Sequence, residues 1–302
     1  MVSIVTYNIQ WGKGRDQAID LDRIARTVAG ADIICLQEVE RNWRDQPYPD
    51  QALRLTNLLP QHEWVYGPSL DLGGRMGKPR RQCGNMILSR YPISSTRNLP
   101  LPARAVHGHM NDQQAMIEAV IELGNGGFRI YNAHLNYLSQ RQRREQIALI
   151  KDFIARAPLD GGPVTSPGKA VPGPEDDWIV LPDGKLPQMP ASAILLGDFN
   201  AGPESPEDQD IAGEKSPTYV RLNEAGSFAD VLTVLGLGEA EGVTFPGGET
   251  EPPQRLDHCF VSMDLVDVVK SAWIDDSATG SDHQPLWVQL DFQKQEKSRG
   301  IG

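Results

Sequence analysis

Short apolar runs rich in β-branched residues recur along this chain, and their spacing constrains its fold more than any other feature. SIVTYNIQ, DIICLQEV, NMILSRYP, AMIEAVIEL, FRIYNAHLN, SAILLGDFN, HCFVS, VDVVKSAWI and PLWVQLDF each have the length and make-up of a β-strand. Helical patterns lie between some of them: Ile19 to Ala29, Gln51 to Leu59, and Ser139 to Ala157, where Ile147, Ile150 and Ile154 recur on one face behind Ser139 as N-cap. Several runs follow one another with only a turn between. A purely parallel sheet does not allow that, because each parallel connection needs a crossover. The expected architecture is therefore an α/β (α+β) arrangement of two packed mixed β-sheets with helices outside.

At 302 residues, with 39% hydrophobic and 23% charged, the chain is long enough to bury a large core in one body. We expect a single domain over residues 1–293 and a polar C-terminal tail over 294–302. The stretch from Pro158 to Pro190 is rich in Pro, Gly and Asp around one apolar island, Trp178 to Leu181, and reads as an insertion within that domain. A second polar insertion is expected over Glu204 to Lys215. The N-terminus reads at once as a strand and a glycine turn, without the pattern of a signal peptide. No apolar run approaches the roughly 20 residues of a membrane span. Three scattered cysteines, Cys35, Cys83 and Cys259, favour reduced thiols and a cytoplasmic location over disulfides or a zinc site.

Forty acidic against 29 basic residues give a net charge of −11, which opposes nonspecific attraction to a polyanion and disfavours duplex DNA as a partner. A local basic group exists at Arg75, Lys78, Arg80, Arg81 and Arg90, with Arg141, Arg143 and Arg144 further on. Solvated surface charge is its ordinary meaning.

The chemistry is signalled by polar residues at the ends of apolar strands, since a half-buried amide or carboxylate must be satisfied, often by a metal or a ligand. Asn8 interrupts IVTYNIQW and Glu38 closes DIICLQEV; each alone also fits a capped strand end. NAHLN sets His134 and Asn136 two residues apart, and LLGDFN does the same for Asp198 and Asn200, so each pair is expected on one strand face. RLDHCFVS places Asp257 beside His258, and GSDHQPLWV places Asp282 beside His283. Such a dipeptide is commonly a polar turn, but an acid can also orient an imidazole or hold it protonated.

The ordered set TYNI, LQEVE, GNMILSRYPI, NAHLN, GDFN, RLDHCFVS and SDHQPLWV resembles the endonuclease/exonuclease/phosphatase superfamily of metal-dependent phosphoesterases, from Asn8 to about Leu290. The resemblance implies a four-layer sandwich, two β-sheets flanked by helices. It implies Mg²⁺ or Mn²⁺ at Asn8 and Glu38, with Asp282 assisting. Asp198 then serves as base or orienter of the attacking water, and Asn200 holds water or phosphate. His134 and His283 stabilise phosphate oxygens, and Asp257 and Asp282 each support an imidazole or help the metal.

Departures from the family pattern are His258, where relatives carry an aromatic residue, and Gln113 and Gln114, where they carry arginine. Either that arginine's phosphate contact is missing here or Arg104, His107 or His109 supplies it. The chemistry points to hydrolysis of a phosphodiester in a small phosphate-ester substrate, a soluble organophosphate or a lipid head group. A nuclease is the alternative, and a catalytically silent binding module a second. No membrane span and no obligate protein partner are expected.

Overall fold

The computed structural model describes residues 1–292 apart from 46, 125, 166–172, 174, 175, 177, 182–186, 188, 204, 213–227, 239–241, 249 and 250. Its strands are β1 (Val2–Asn8), β2 (Ile33–Arg41), β3 (Glu63–Leu72), β4 (Arg81–Ser89), β5 (Ile93–Pro100) and β6 (Ala115–Leu123), followed by β7 (Gly126–His134), β8 (Ala193–Asp198), β9 (Phe228–Asp230), β10 (Asp257–Ser262), β11 (Val269–Ile274) and β12 (Leu286–Leu290). The helices are α1 (Leu21–Val28), α2 (Gln51–Leu58), α3 (Gln140–Asp160), α4 (Pro206–Ala212) and α5 (Val231–Val234).

Two six-stranded mixed sheets result, ordered β11-β12-β1-β2-β4-β3 and β5-β6-β7-β8-β10-β9. Each contains one parallel pair, β1 with β2 and β7 with β8, and its other neighbours are antiparallel. The parallel pairs are those joined through helices, α1 in one case and α3 in the other, as crossover geometry requires.

Alternation along each strand sorts its side chains into layers. Ile4, Ile33, Cys35 and Ile87 of the first sheet meet Ile117, Ile130, Leu196 and Cys259 of the second in the central core. Val5, Tyr7, Ile34 and Leu36 face the other way and cover Leu21, Ile24 and Leu55 of α1 and α2. Tyr131, Leu195 and Phe260 do the same toward Ile147, Ile150 and Ile154 of α3. Helices, sheet, sheet and helices make four layers, as expected.

Asp20, Asp50 and Ser139 accept hydrogen bonds from Arg23 N, Leu53 N and Gln142 N and so cap α1, α2 and α3. Three expectations shift. Pro158 stands in the last turn of α3, so the helix runs three residues further than Ala157 and most of the expected insertion after it lies outside the described residues. Residues 206–212 of the second expected insertion are helical, while 204 and 213–215 lie outside the described residues. VDVVKSAWI is divided between a 3₁₀ turn, Met263–Val268, and β11.

Above the central core the space between the sheets turns polar. Gln37 donates to Thr6 Oγ1 (3.0 Å) and Asn132 Oδ1 (2.7 Å), Asn132 donates to Leu36 O (2.9 Å) and Met86 O (3.0 Å), and Asn85 donates to Ala115 O (2.8 Å). These amides are buried, so their bonds stitch sheet to sheet immediately beneath the cleft described next.

Candidate active site

The two parallel pairs end at the same rim of the sandwich. Asn8 closes β1 and His134 and Asp198 close the paired β7 and β8, whose last register partners are each other. Glu38 reaches the rim through a bulge: between Leu36 and Val39 the register of β2 against β4 shifts, and Glu38 adopts φ +59°. The bulge swings its carboxylate out of the alternating pattern toward the cleft. Gly197 allows the close approach of β7 and β8, since a Cβ there would stand 1.9 Å from Ala133 O at φ +134°.

Asp198 is the hub. Its Oδ2 accepts from Asn8 Nδ2 at 2.9 Å and lies 3.6 Å from His134 Nε2 and 3.7 Å from His283 Nε2, while Oδ1 accepts from Asn200 N at 2.9 Å. Asn8 Nδ2 also donates to Glu38 Oε1 at 3.1 Å. Asn200, at φ +48°, donates to Leu135 O (2.9 Å) and lies 3.2 Å from His134 Nε2. Behind the rim, Asp257 Oδ2 meets His283 Nδ1 at 2.7 Å. The register of β10 against β8 pairs Asp257 with Asp198 and so sets this acid beside the hub.

These contacts fix the charge states. Burial pushes the Asp198 carboxyl up, but the imidazoles of His283 and His134 and the Asn8 amide outweigh it and hold the group below its ordinary value, ionised. Burial would strip His283 of its proton, yet Asp257 and Asp198 raise it to about 10, so it is a cation with a free Nε2 donor directed toward the hub. Glu38 and Asp257 are pushed up chiefly by burial, and His134 and His283, respectively, pull them back.

The expected residues Asn8, Glu38, His134, Asp198, Asn200 and His283 line one cleft of about 650 Å³, and Asp257 supports it from behind. Two expectations change. His283 takes its acid from Asp257, while Asp282 accepts from Gln10 Nε2 at 2.6 Å. Asn136 lies past the end of β7 and accepts from Leu138 N and Ser139 N, so it folds the entry to α3 and does not share a ligand with His134. Gln113 and Gln114 reach the cleft, and Arg104, His107 and His109 are not among the described residues that line it. Arg104 instead meets Glu145 at 2.7 Å. Residues that the sequence reading did not single out complete the walls: Trp11, Trp43, Arg44, Asn85, Asp112 and Tyr137.

The oxygen set fits a hard divalent cation. Glu38 stands partly open to the cleft with the Asn8 amide as hydrogen-bond partner, and its raised proton affinity marks a carboxylate short of positive charge. Asp282 is tied to the same corner through Gln10, whose N donates to Asn8 Oδ1 at 3.0 Å. Asp198, Asp257 and His283 also bring one ligand atom each within 4.8 Å of one another, but Asp257 and His283 are already hydrogen-bonded to each other, with Asp198 3.7 Å beyond on the Nε2 side.

Two mixed sheets with amides, carboxylates and imidazoles converging at one rim define a sandwich-type hydrolase architecture. The chain belongs to the endonuclease/exonuclease/phosphatase family, whose profile matches residues 5–283. Among solved structures, a family protein from Bacteroides vulgatus superposes with a TM-score of 0.64 at 18% identity, covering 96% of this chain and 98% of that one. A mannosyl-6-phosphatase from Bacteroides thetaiotaomicron gives 0.62 at 18% identity over 97% and 100%. Truncated TDP2 from Caenorhabditis elegans gives 0.59 at 16% over 96% of each chain. At these identities the likeness is one of fold. No curated protein matches the sequence.

Proposed function

We propose that this chain is an Mg²⁺- or Mn²⁺-dependent phosphoesterase that hydrolyses a phosphodiester bond in a small phosphate ester, a soluble organophosphate or a lipid head group. The observation that carries this reading is Asp198, an ionised carboxylate with an imidazole on either side at 3.6 and 3.7 Å. Asp198 orients the attacking water and takes its proton as the water oxygen bonds to phosphorus and the bond to the leaving oxygen breaks. His283, protonated against Asp257, donates from Nε2 to a non-bridging oxygen whose charge grows along that path. His134 and Asn200 hold the phosphate from the second side, and their mutual contact of 3.2 Å sets them as a unit. A divalent ion would be held by Glu38 with Asn8 and Asp282 in support, and would supply Lewis-acid neutralisation of phosphate charge.

Surface charge supports a small substrate over duplex DNA. Arg80, Arg90, Arg143 and Arg144 are engaged by Asp71, Asp32, Glu207 and Asp210, so part of the basic group is already compensated within the chain. No described helix is long and apolar enough to cross a membrane. The cysteines are free, with Cys35 and Cys259 buried in the core, which supports a cytoplasmic setting. The presence of every site residue speaks against a silent binding module.

A panel of bis(p-nitrophenyl) phosphate, p-nitrophenyl phosphate, glycerophosphodiesters and supercoiled plasmid, each with Mg²⁺, Mn²⁺ or chelator, tests the assignment. Turnover should be greatest on a small diester and vanish with chelator. Full activity after exhaustive chelation, or plasmid nicking at the rate of the small diester, contradicts it.

A further inference from the structure

Arg44 is the one Lys or Arg among the described residues that line the cleft. It is held there with unusual care. Its Nε donates to Glu40 Oε1 at 2.8 Å, and that carboxylate is almost wholly buried while Arg44 itself is 41% exposed. Its guanidinium lies 3.9 Å over the Trp11 ring. Trp11 in turn is fixed by backbone: Gln51, fully buried, donates from Nε2 to Trp11 O at 2.7 Å and accepts at Oε1 from Glu40 N at 3.0 Å. One side chain thus locks the two residues that clamp Arg44 to each other.

The backbone is strained at the same point. Gln10 and Trp11 have φ +43° and +47°, successive left-handed residues, neither of them glycine. Such conformations carry a steric cost and persist where the surroundings over-determine them, commonly at ligand clamps. A surface arginine that only balanced Glu40 would not need a stacked ring presented by a strained turn. Fixing a guanidinium in advance removes the ordering cost of binding and leaves its planar fork for an oxyanion.

The position of Arg44 indicates which anion it takes. His134 and His283 flank Asp198 at 3.6 and 3.7 Å, so the scissile phosphate has imidazole donors without Arg44. Glu40, its anchor, lies further along β2 than Glu38, and Arg44 stacks on Trp11, so its guanidinium stands where Trp11 walls the cleft, with Trp43, the residue before it, also in the lining. We propose that Trp11, Arg44 and Trp43 form a subsite for a second, non-scissile oxyanion, a carboxylate or phosphate, borne by the substrate's leaving group across the aromatic wall. This rests on the phosphoesterase reading and narrows its substrate class to small phosphate esters with a second anionic group.

The test compares 4-carboxyphenyl phenyl phosphate with its neutral isostere, 4-carbamoylphenyl phenyl phosphate, in the full chain. Binding is followed by calorimetry with chelator present, and kcat/KM is measured separately with Mg²⁺. Wild type should prefer the carboxylate at least about tenfold in binding, as a charge-assisted pair warrants. Arg44→Gln should bring the preference to about one, and Arg44→Lys should leave it intermediate, since a point charge replaces the fork. Arg44→Gln takes one partner from the buried Glu40 carboxylate, so the Arg44→Gln/Glu40→Gln double variant, which removes the pair together, repeats the measurement in a chain without that carboxylate. Equal binding of the two probes by wild type, or a preference that survives both variants, overturns the subsite. A preference for the carboxylate with hydrolysis of neither probe under Mg²⁺ overturns the phosphoesterase reading and leaves the subsite standing.

Discussion

The two sheets contribute to the cleft through matching units, yet the units differ in what they carry. In the first, β1 and β2 are parallel through α1 and bring Asn8, at the end of β1, and Glu38, at the bulge in β2, to the rim, an amide and a carboxylate. In the second, β7 and β8 are parallel through α3 and end in His134 and Asp198, an imidazole and a carboxylate. Glu38 has its charge raised in cost by burial, whereas Asp198 has its charge stabilised by two imidazoles. The two settings thus yield one carboxylate whose charge burial disfavours and one whose charge two imidazoles favour, which the proposed function reads as ligand of the ion and as base. Division of labour between halves follows from which neighbours each carboxylate was given.

The sharpest way to break that comparison is to damage each half separately. His283→Ala removes the donor serving Asp198, and turnover at saturating metal should fall by roughly 10² or more, by analogy with oxyanion donors. Glu38→Gln should instead raise the Mg²⁺ concentration needed for half-maximal activity. Metal titrations of both variants check this, and an unchanged metal requirement in Glu38→Gln would dissolve the distinction.

A smaller effect is expected one layer back. His283 is protonated below about 10 because Asp257 and Asp198 overcome the burial that would lower it. Asp257→Asn removes the first of these charges, so the alkaline limb of the kcat profile should move to lower pH. Asp282→Asn should move that limb the same way but by less, because its carboxylate meets Gln10 and raises the imidazole less than Asp257 does. The reverse order of shifts would reassign the imidazole's partner.

The smallest prediction concerns stability on the outer side of the second sheet. Burial raises Asp230, but His258 and Arg255 hold it below its ordinary value. Its folded-state pKa is therefore depressed, so its contribution is present above the ordinary carboxylate range and fades as pH falls through the folded value. Asp230→Asn should cost about 1–3 kcal/mol at neutral pH, as loss of a buried charged partner does, and less in acid. Thermal melts at neutral and acid pH check the trend.

Much of this organisation was legible because β-branched runs mark buried strands and a polar group ending such a run has few other uses. Asn8, Glu38, His134, Asp198, Asn200 and His283 all betray themselves in that way. β3 and β5 do not. They are the outer strands at one end of their sheets, largely half-exposed, and β3 carries Gly67 and Pro68 at its irregularity, so neither shows a clean apolar pattern. The two Asp-His pairs were visible, but which acid serves which imidazole depends on the pairing of β10 with β8, a long-range register that no local pattern encodes. Arg44 was invisible for a related reason. It sits in the polar stretch after β2, and its place follows from a buried strut, Gln51, seven residues further along the chain.

On the proposed function Asp198 acts on the water while the first half holds the ion. Single-turnover hydrolysis of bis(p-nitrophenyl) phosphate by Asp198→Asn at saturating Mg²⁺ tests it most directly, because the substitution keeps size and hydrogen bonding and removes the base. The rate should fall by roughly 10² to 10⁴ with substrate affinity and metal requirement unchanged. A near-normal rate, or a loss restored by added metal, would contradict it.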